Sequence, residues 1–83
     1  MNDNLMARYL ELAKVQNIES VAEYALEWYK LAADAEIEGR INLAAMCQER
    51  GLFYAVQDEG EYIRIIDRSL SELIAVSYGE TSA

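Results

Sequence analysis

The sequence contains no histidine and no proline, and it has one cysteine in 83 residues. The absence of histidine removes the commonest general base and the commonest metal ligand. A lone Cys47 is too little for a disulfide framework or a thiolate zinc site, and we expect it to be a small buried apolar residue. No phosphate-binding glycine loop, nucleophile elbow or calcium-loop spacing is present. We therefore predict that the chain is not an enzyme and holds no metal or cofactor.

Positive charge is also scarce, because 7 Lys and Arg stand against 15 Asp and Glu and give a net charge of −8. Nucleic-acid phosphates and anionic lipids require clustered basic residues, so nucleic acid is an unlikely partner and a membrane is not expected. No long apolar run follows the first residues, so neither a secretory signal nor a transmembrane helix is predicted. An unpaired cysteine fits a reducing compartment, and we predict a cytoplasmic protein.

The apolar fraction of 53% is too high for a disordered acidic tail, and the length predicts a single compact domain over residues 1–83. Apolar residues spaced by three and four predict helices over about Asp3 to Gln16, Val21 to Asp34 and Glu36 to Arg50. Ser20 and Glu23 form a capping box at the start of the second. That helix is apolar on most sides, which indicates a central helix or an oligomer interface.

Residues 52–66 are aromatic and β-branched on both sides of Asp58-Glu59-Gly60, a pattern typical of a β-hairpin. Gly51 fits the left-handed end of the third helix, and a last helix begins near Asp67 or Ser69. The predicted fold class is therefore mainly α (α+β), with three N-terminal helices, a hairpin near 52–66 and a C-terminal helix. A continuous helix through 52–66, giving an all-α bundle, is the alternative.

Two resemblances bear on function. Residues 25–51 resemble one unit of the tetratricopeptide-like helical-pair repeats, in Ala25-Leu26, Trp28-Tyr29, Ala32-Ala33 and Asn42-Leu43-Ala44. That resemblance implies a protein-binding scaffold, and an ordinary antiparallel helix pair fits the same residues. The order of elements also resembles a winged helix, which implies DNA binding through the third helix and the hairpin. Asp58 and Glu59 at the wing tip would oppose phosphate.

Charge and aromatic content indicate a protein-binding surface instead. Glu19, Glu23 and Glu27 recur at i, i+4 and i+8 on one helical face, and Tyr and Trp are favoured interface anchors. A solvated acidic surface and an aromatic core are the simpler explanations of the same residues. The predicted binding residues are Glu19, Glu23, Glu27, Asp34, Glu36, Glu38, Asp58, Glu59, Glu61, Tyr24, Trp28, Tyr54 and Tyr62.

These features together predict a small acidic interaction module, an inhibitor or adaptor that occupies a basic surface of a larger protein. Small size, negative charge and missing motifs suggest a phage or mobile-element protein. A self-associating module, in which the broad apolar surface of the Trp28 helix forms a homodimer, is the first alternative. A winged-helix-like regulator that binds nucleic acid is the second.

Overall fold

The computed structural model describes the backbone of residues 4–81 and the side chains of residues 4–75. Residues 4–81 form four α-helices: α1 (Asn4–Ala13), α2 (Val21–Ile37), α3 (Ile41–Ala55) and α4 (Glu59–Thr81). A 3₁₀ turn over Val56–Asp58 joins the last two. Residues 4–81 contain no strand, so this part of the chain is all-α.

The predicted β-hairpin near 52–66 is wrong, and with it the α+β fold class. Residues 52–55 form the last turn of α3, and residues 59–66 form the first turns of α4. Cys47, Gly51 and Ala55 lie at a spacing of four and are all buried, so this helical face of α3 packs inward. That packing overrides the β-propensity of the aromatic and branched residues around it. The hairpin would have formed the wing of a winged helix, so its absence from residues 4–81 removes that resemblance.

The turn between α2 and α3 also differs from the prediction. α2 continues to Ile37, and Gly39 adopts a left-handed backbone with φ of 77°. The Gly39 N–H donates to the Glu36 carbonyl at 2.9 Å, and the Arg40 N–H donates to the Ala35 carbonyl at 2.8 Å. This is a Schellman motif, which the sequence analysis had assigned to Gly51. Gly51 instead lies within α3.

The start of α2 is where the sequence placed it. The Ser20 side chain accepts a hydrogen bond from the Glu23 N–H at 3.2 Å, which confirms Ser20 as the N-cap. The Ser20 hydroxyl also donates to Glu61 Oε1 on α4 at 3.1 Å, so one side chain starts α2 and joins it to α4. α1 runs from Asn4, the first described residue, to Ala13, which is shorter than predicted; Asp3 lies outside the described residues.

α2 is the central helix, since α1, α3 and α4 each pack against it. Trp28 and Leu31 on α2 are fully buried together with Cys47 on α3, so Cys47 is the buried apolar residue that we expected. Burial raises the pKa of the Cys47 thiol. No charged side chain is buried in the described part of the chain. Packing on three sides explains why α2 is apolar around most of its circumference.

α4 begins at Glu59, not near Asp67 or Ser69 as predicted. Ile65 is buried and Tyr62 and Ile66 are half-buried, whereas every residue from 67 to 75 is exposed. The second half of α4 therefore extends away from the other helices. The radius of gyration is 14.7 Å, against about 12 Å for a compact chain of this length. None of the helices in the described part of the chain combines the length and apolar character needed to span a membrane.

Candidate protein-interaction surfaces

Three of the four predicted aromatic binding residues, Tyr24, Trp28 and Tyr54, form a cluster together with Tyr9. The Tyr9 and Tyr24 rings meet the indole edge-on at centroid distances of 5.3 and 6.0 Å, and Tyr54 meets Tyr24 at 4.7 Å. The Arg50 guanidinium lies 5.8 Å from the Trp28 ring centroid. Trp28 and Tyr24 are buried, whereas Tyr54 is half-buried. Trp28 and Tyr24 therefore stabilise the core, whereas Tyr54 and the likewise half-buried Tyr9 lie at its surface.

Tyr24 connects α1 to α2. Its hydroxyl donates a hydrogen bond to the Leu12 carbonyl near the end of α1. Burial raises the pKa of the Tyr24 hydroxyl, while the neighbouring Trp28 indole acts in the opposite direction. The Trp28 Nε1 is buried and makes no hydrogen bond of normal geometry with any described residue. Both polar tips face the interior, so neither is available to a partner.

Tyr62, the last predicted aromatic residue, packs α4 against α2. Its ring lies 6.0 Å from the Tyr29 ring, and burial raises the pKa of its hydroxyl. The contact fixes the first turns of α4 beside the middle of α2.

Glu19, Glu23 and Glu27 are exposed, but Glu19 precedes the N-cap Ser20 and so does not share a face of α2 with the other two, contrary to the prediction. Basic side chains of the same chain also lie beside part of this acidic stripe. Lys30 Nζ lies 3.3 Å from Glu27 Oε1. Arg64 and Arg68 on α4 line the same groove as Glu23 and Glu61. The charge available to a partner along this stripe is smaller than the sequence alone indicated.

The remaining predicted acidic residues divide between the two ends of α2, which is 17 residues or about 25 Å long. Asp34, Glu36 and Glu38 lie at the end near Gly39, where Asp34 is paired with Arg8 at 2.6 Å. At the other end, Ser20 brings Glu61 beside Glu19, and Asp58 and Glu59 immediately precede Glu61 in the chain. Glu19, Asp58 and Glu59 have no ion pair among the described residues.

The sequence analysis missed an exposed apolar surface on α3 and the 3₁₀ turn, which we call the α3 patch. It consists of Leu52, Phe53 and Val56, which are 57%, 60% and 65% exposed. Phe53 lies on the side of α3 opposite the buried Gly51 and Ala55, and Leu52 and Val56 lie between the two sides.

Polar and aromatic residues surround the α3 patch. Phe53 and Tyr54 line an open groove of about 480 Å³ together with Tyr9, Met46, Glu49 and Arg50. Asp58 and Glu59 follow the patch directly in sequence and are exposed. If residues 49–56 had been predicted as a helix, the residues of the α3 patch would have been placed side by side. The β-hairpin prediction assigned them to a strand, where they are not neighbours.

A second missed surface, the α4 stripe, consists of Ile63, Ile66, Leu70, Leu73 and Ile74. Ile66 is half-buried, and the other four are between 50% and 65% exposed. The sequence analysis divided these residues between a strand and a separate helix, so their common helical face was not recognised. Nothing among the described residues covers this face beyond Ile66.

Neither surface contains a metal site. Among the described residues, no three His, Cys, Asp or Glu side chains come together in a way that could hold a metal ion. Comparison of the chain with protein families, with curated proteins and with solved structures finds no match. The two apolar surfaces and the charges around them are therefore the features of the described residues that bear on function.

Proposed function

We propose that the protein is an interaction module that binds another protein through the α3 patch. The observation that carries the proposal is the exposure of three large apolar side chains, Leu52, Phe53 and Val56, side by side on α3 and the 3₁₀ turn. Exposed apolar patches rimmed by polar residues mark protein-binding sites, and aromatic side chains such as Phe53 serve as anchors at their centres.

The charges around the α3 patch indicate the chemistry of the partner. Glu49, Asp58 and Glu59 are exposed carboxylates near it, and the whole chain carries a net charge of −8. A partner with an apolar centre and a basic rim would complement this arrangement and would be steered toward it at low salt. An inhibitor or adaptor that occupies a basic surface of a larger protein fits this description. A cytoplasmic location is part of the proposal, supported by the unpaired Cys47.

The proposal assigns no enzyme activity to the protein. Carboxylates that act as acid and base are set apart by burial of one of them. In the described part of the chain every Asp and Glu lies at least partly in solvent. This arrangement favours binding over catalysis.

Affinity capture from a lysate of the source organism tests the proposal, with the wild-type chain compared against the double variant Phe53→Ser/Val56→Ser. Ile41→Ser is the matched control, because Ile41 is an equally exposed apolar residue at the other end of the same helix. We expect a partner with a basic surface to be retained by the wild type and by Ile41→Ser. The double variant should lose it.

Ionic strength is the second variable of the capture experiment. The retained partner should elute as ionic strength rises, because rim charges are screened beyond the Debye length. Equal retention by all three chains would refute binding through the α3 patch. Retention that does not change with salt would refute the basic rim.

A further inference from the structure

We propose that the α4 stripe is a homodimer interface, in which α4 of a second copy of the chain packs against it in antiparallel orientation. The α4 stripe is separate from the α3 patch, so this proposal stands independently of the proposed function. Its starting point is that α4 is 23 residues long and packs against α2 only in its first turns.

The exposed half of α4 is poorly suited to stand alone in water. Isolated helices of this length are marginal, and most helical stability comes from packing an apolar face. The segment also contains Ser69, Ser71 and Ile74, which are weaker helix formers than Ala or Leu. A covering partner would stabilise this part of α4.

The spacing of the α4 stripe suits pairing with a copy of itself. Ile63, Ile66, Leu70 and Leu73 follow one another at intervals of three, four and three, which is the a/d pattern of a helix–helix seam. That order of intervals is the same read in either direction. An antiparallel two-fold arrangement therefore brings Ile63 against Leu73 of the second copy and Ile66 against its Leu70.

Charge favours a second copy in this orientation. Arg64, Arg68 and Glu72 lie on the side of α4 away from the stripe, whereas Asp67 lies at its edge and Glu59 lies one turn before Ile63. Two chains of charge −8 can therefore approach along an almost uncharged seam. A parallel arrangement would place the carboxylates of Asp58 and Glu59 of both copies at the same end. The antiparallel arrangement separates them.

The exposed area is of the size that a dimer requires. The chain exposes 6208 Å² of surface, whereas a compact protein of its mass exposes about 5,000 Å², which leaves an excess of about 1,200 Å². Each partner in a standard interface contributes about 800 Å². The excess is thus large enough to include one side of a standard interface.

Sedimentation equilibrium tests the proposal with the full chain. At micromolar to submillimolar concentration, the wild type should sediment at about twice the chain mass of 9.4 kDa. Leu70→Glu should raise the Kd of the dimer by more than about 100-fold, because each interface would bury two unpaired carboxylates. Ala75→Glu, which adds the same charge at an exposed residue on the opposite side of α4, should leave the Kd within a few-fold of the wild type.

Disulfide cross-linking tests the orientation. A chain carrying Ile63→Cys is mixed with a mass-tagged chain carrying Leu73→Cys; native Cys47 is buried and should not compete. The antiparallel dimer predicts cross-links between the two different chains. Cross-links only between identical Leu73→Cys chains would overturn the antiparallel arrangement. A wild type that stays monomeric, or equal weakening by Leu70→Glu and Ala75→Glu, would overturn the homodimer, provided that circular dichroism shows intact helices.

Discussion

Gly51 packs directly against the ring of Tyr29, so that a Cβ at residue 51 would lie 3.0 Å from Tyr29 Cε2. Tyr29 is half-buried and its ring is in turn packed against Tyr62 on α4. A glycine in the middle of α3 therefore allows α2 and α3 to approach closely while α4 is held on the other side of the same ring. This contact explains why a residue that disfavours helices occupies a buried helical position.

The first prediction compares two glycines. Gly51→Ala gains about 1 kcal/mol of helix propensity but overpacks the contact with Tyr29, which costs about 1–3 kcal/mol, so we expect a net loss of about 1 kcal/mol. Gly60→Ala has open space at its Cβ and should gain up to about 1 kcal/mol. Urea denaturation gives both values.

The Tyr29→Ala chain provides a second background, which separates the steric effect of the Tyr29 ring from other effects of Gly51→Ala. In a Tyr29→Ala chain, Gly51→Ala should become neutral or stabilising because the ring is gone. If Gly51→Ala still destabilises that chain by the same amount, the contact with Tyr29 does not explain the glycine.

The second prediction concerns Ser20, which caps α2 and donates to Glu61. Ser20→Ala should lower the free energy of unfolding by about 1 kcal/mol through loss of the cap. Ser20→Asp retains a good capping group but places a carboxylate beside Glu61, and like charges this close oppose each other. We expect Ser20→Asp to be about as unstable as Ser20→Ala.

Replacement of Glu61 checks this interpretation. In a Glu61→Gln background, thermal unfolding should show Ser20→Asp to be more stable than Ser20→Ala by about 1 kcal/mol. Identical stabilities in that background would mean that the cap contributes nothing measurable.

The third prediction is a loss of stability at alkaline pH. Burial raises the pKa of Cys47 above its ordinary value of 9.0 and that of Tyr24 above 10.0. Between the ordinary and the raised pKa, the folded chain therefore keeps protons that the unfolded chain has lost. The stability that comes from these protons is complete at pH values below the ordinary pKa, and it is lost as pH rises through the pKa of the folded chain. The free energy of unfolding should fall from about pH 9 upward.

Two variants assign the fall to its sources. Cys47→Ala should remove the part that begins near the ordinary thiol pKa. Tyr24→Phe should reduce the part that begins near the ordinary phenol pKa, to which Tyr62 also contributes because burial raises its pKa too. The measurement is the slope of unfolding free energy against pH above pH 9, after subtraction of the slope that both variants share. An unchanged slope in both would contradict the assignment.

The fourth prediction concerns the ion pair between Arg8 and Asp34, which joins α1 to α2 at 2.6 Å. Both side chains are nearly half exposed, so a double-mutant cycle with Arg8→Gln and Asp34→Asn should give a coupling of only about 0.5 kcal/mol. The coupling should shrink in high salt. A value several times larger that persists in salt would mean that the pair is effectively shielded from water.

Some parts of the fold could be predicted from the sequence, and others could not. The start of α2 was predictable, because Ser20 and Glu23 carry a local capping signal that requires no knowledge of the fold. The β-hairpin failed because Phe53, Tyr54 and the branched residues near Ile63 have a β-propensity that weighs less than burial. The spacing of Cys47, Gly51 and Ala55 carried the correct signal, but small residues contribute little to a hydrophobic pattern.

The candidate surfaces were predictable only in part. The acidic residues are exposed, as their charge requires, but their division between the two ends of α2 depends on how the helices pack. Trp28 and Tyr24 are of residue types that often anchor interfaces, but here they form the core. Amino-acid type does not determine which face of α2 the other helices cover. The α3 patch and the α4 stripe became visible only when residues 52–74 were placed on helices.

The amino-acid sequence by itself determined the charge of −8, the absence of histidine chemistry, the buried character of Cys47 and the helix that begins after Ser20. These follow from composition and from interactions within a few residues. Only the tertiary structure decided that residues 52–66 are helical, that Gly39 rather than Gly51 ends a helix, and that α4 leaves an apolar face uncovered. Each of those depends on contacts between residues distant in sequence, where the packing of side chains such as Tyr29 against Gly51 outweighs local preference.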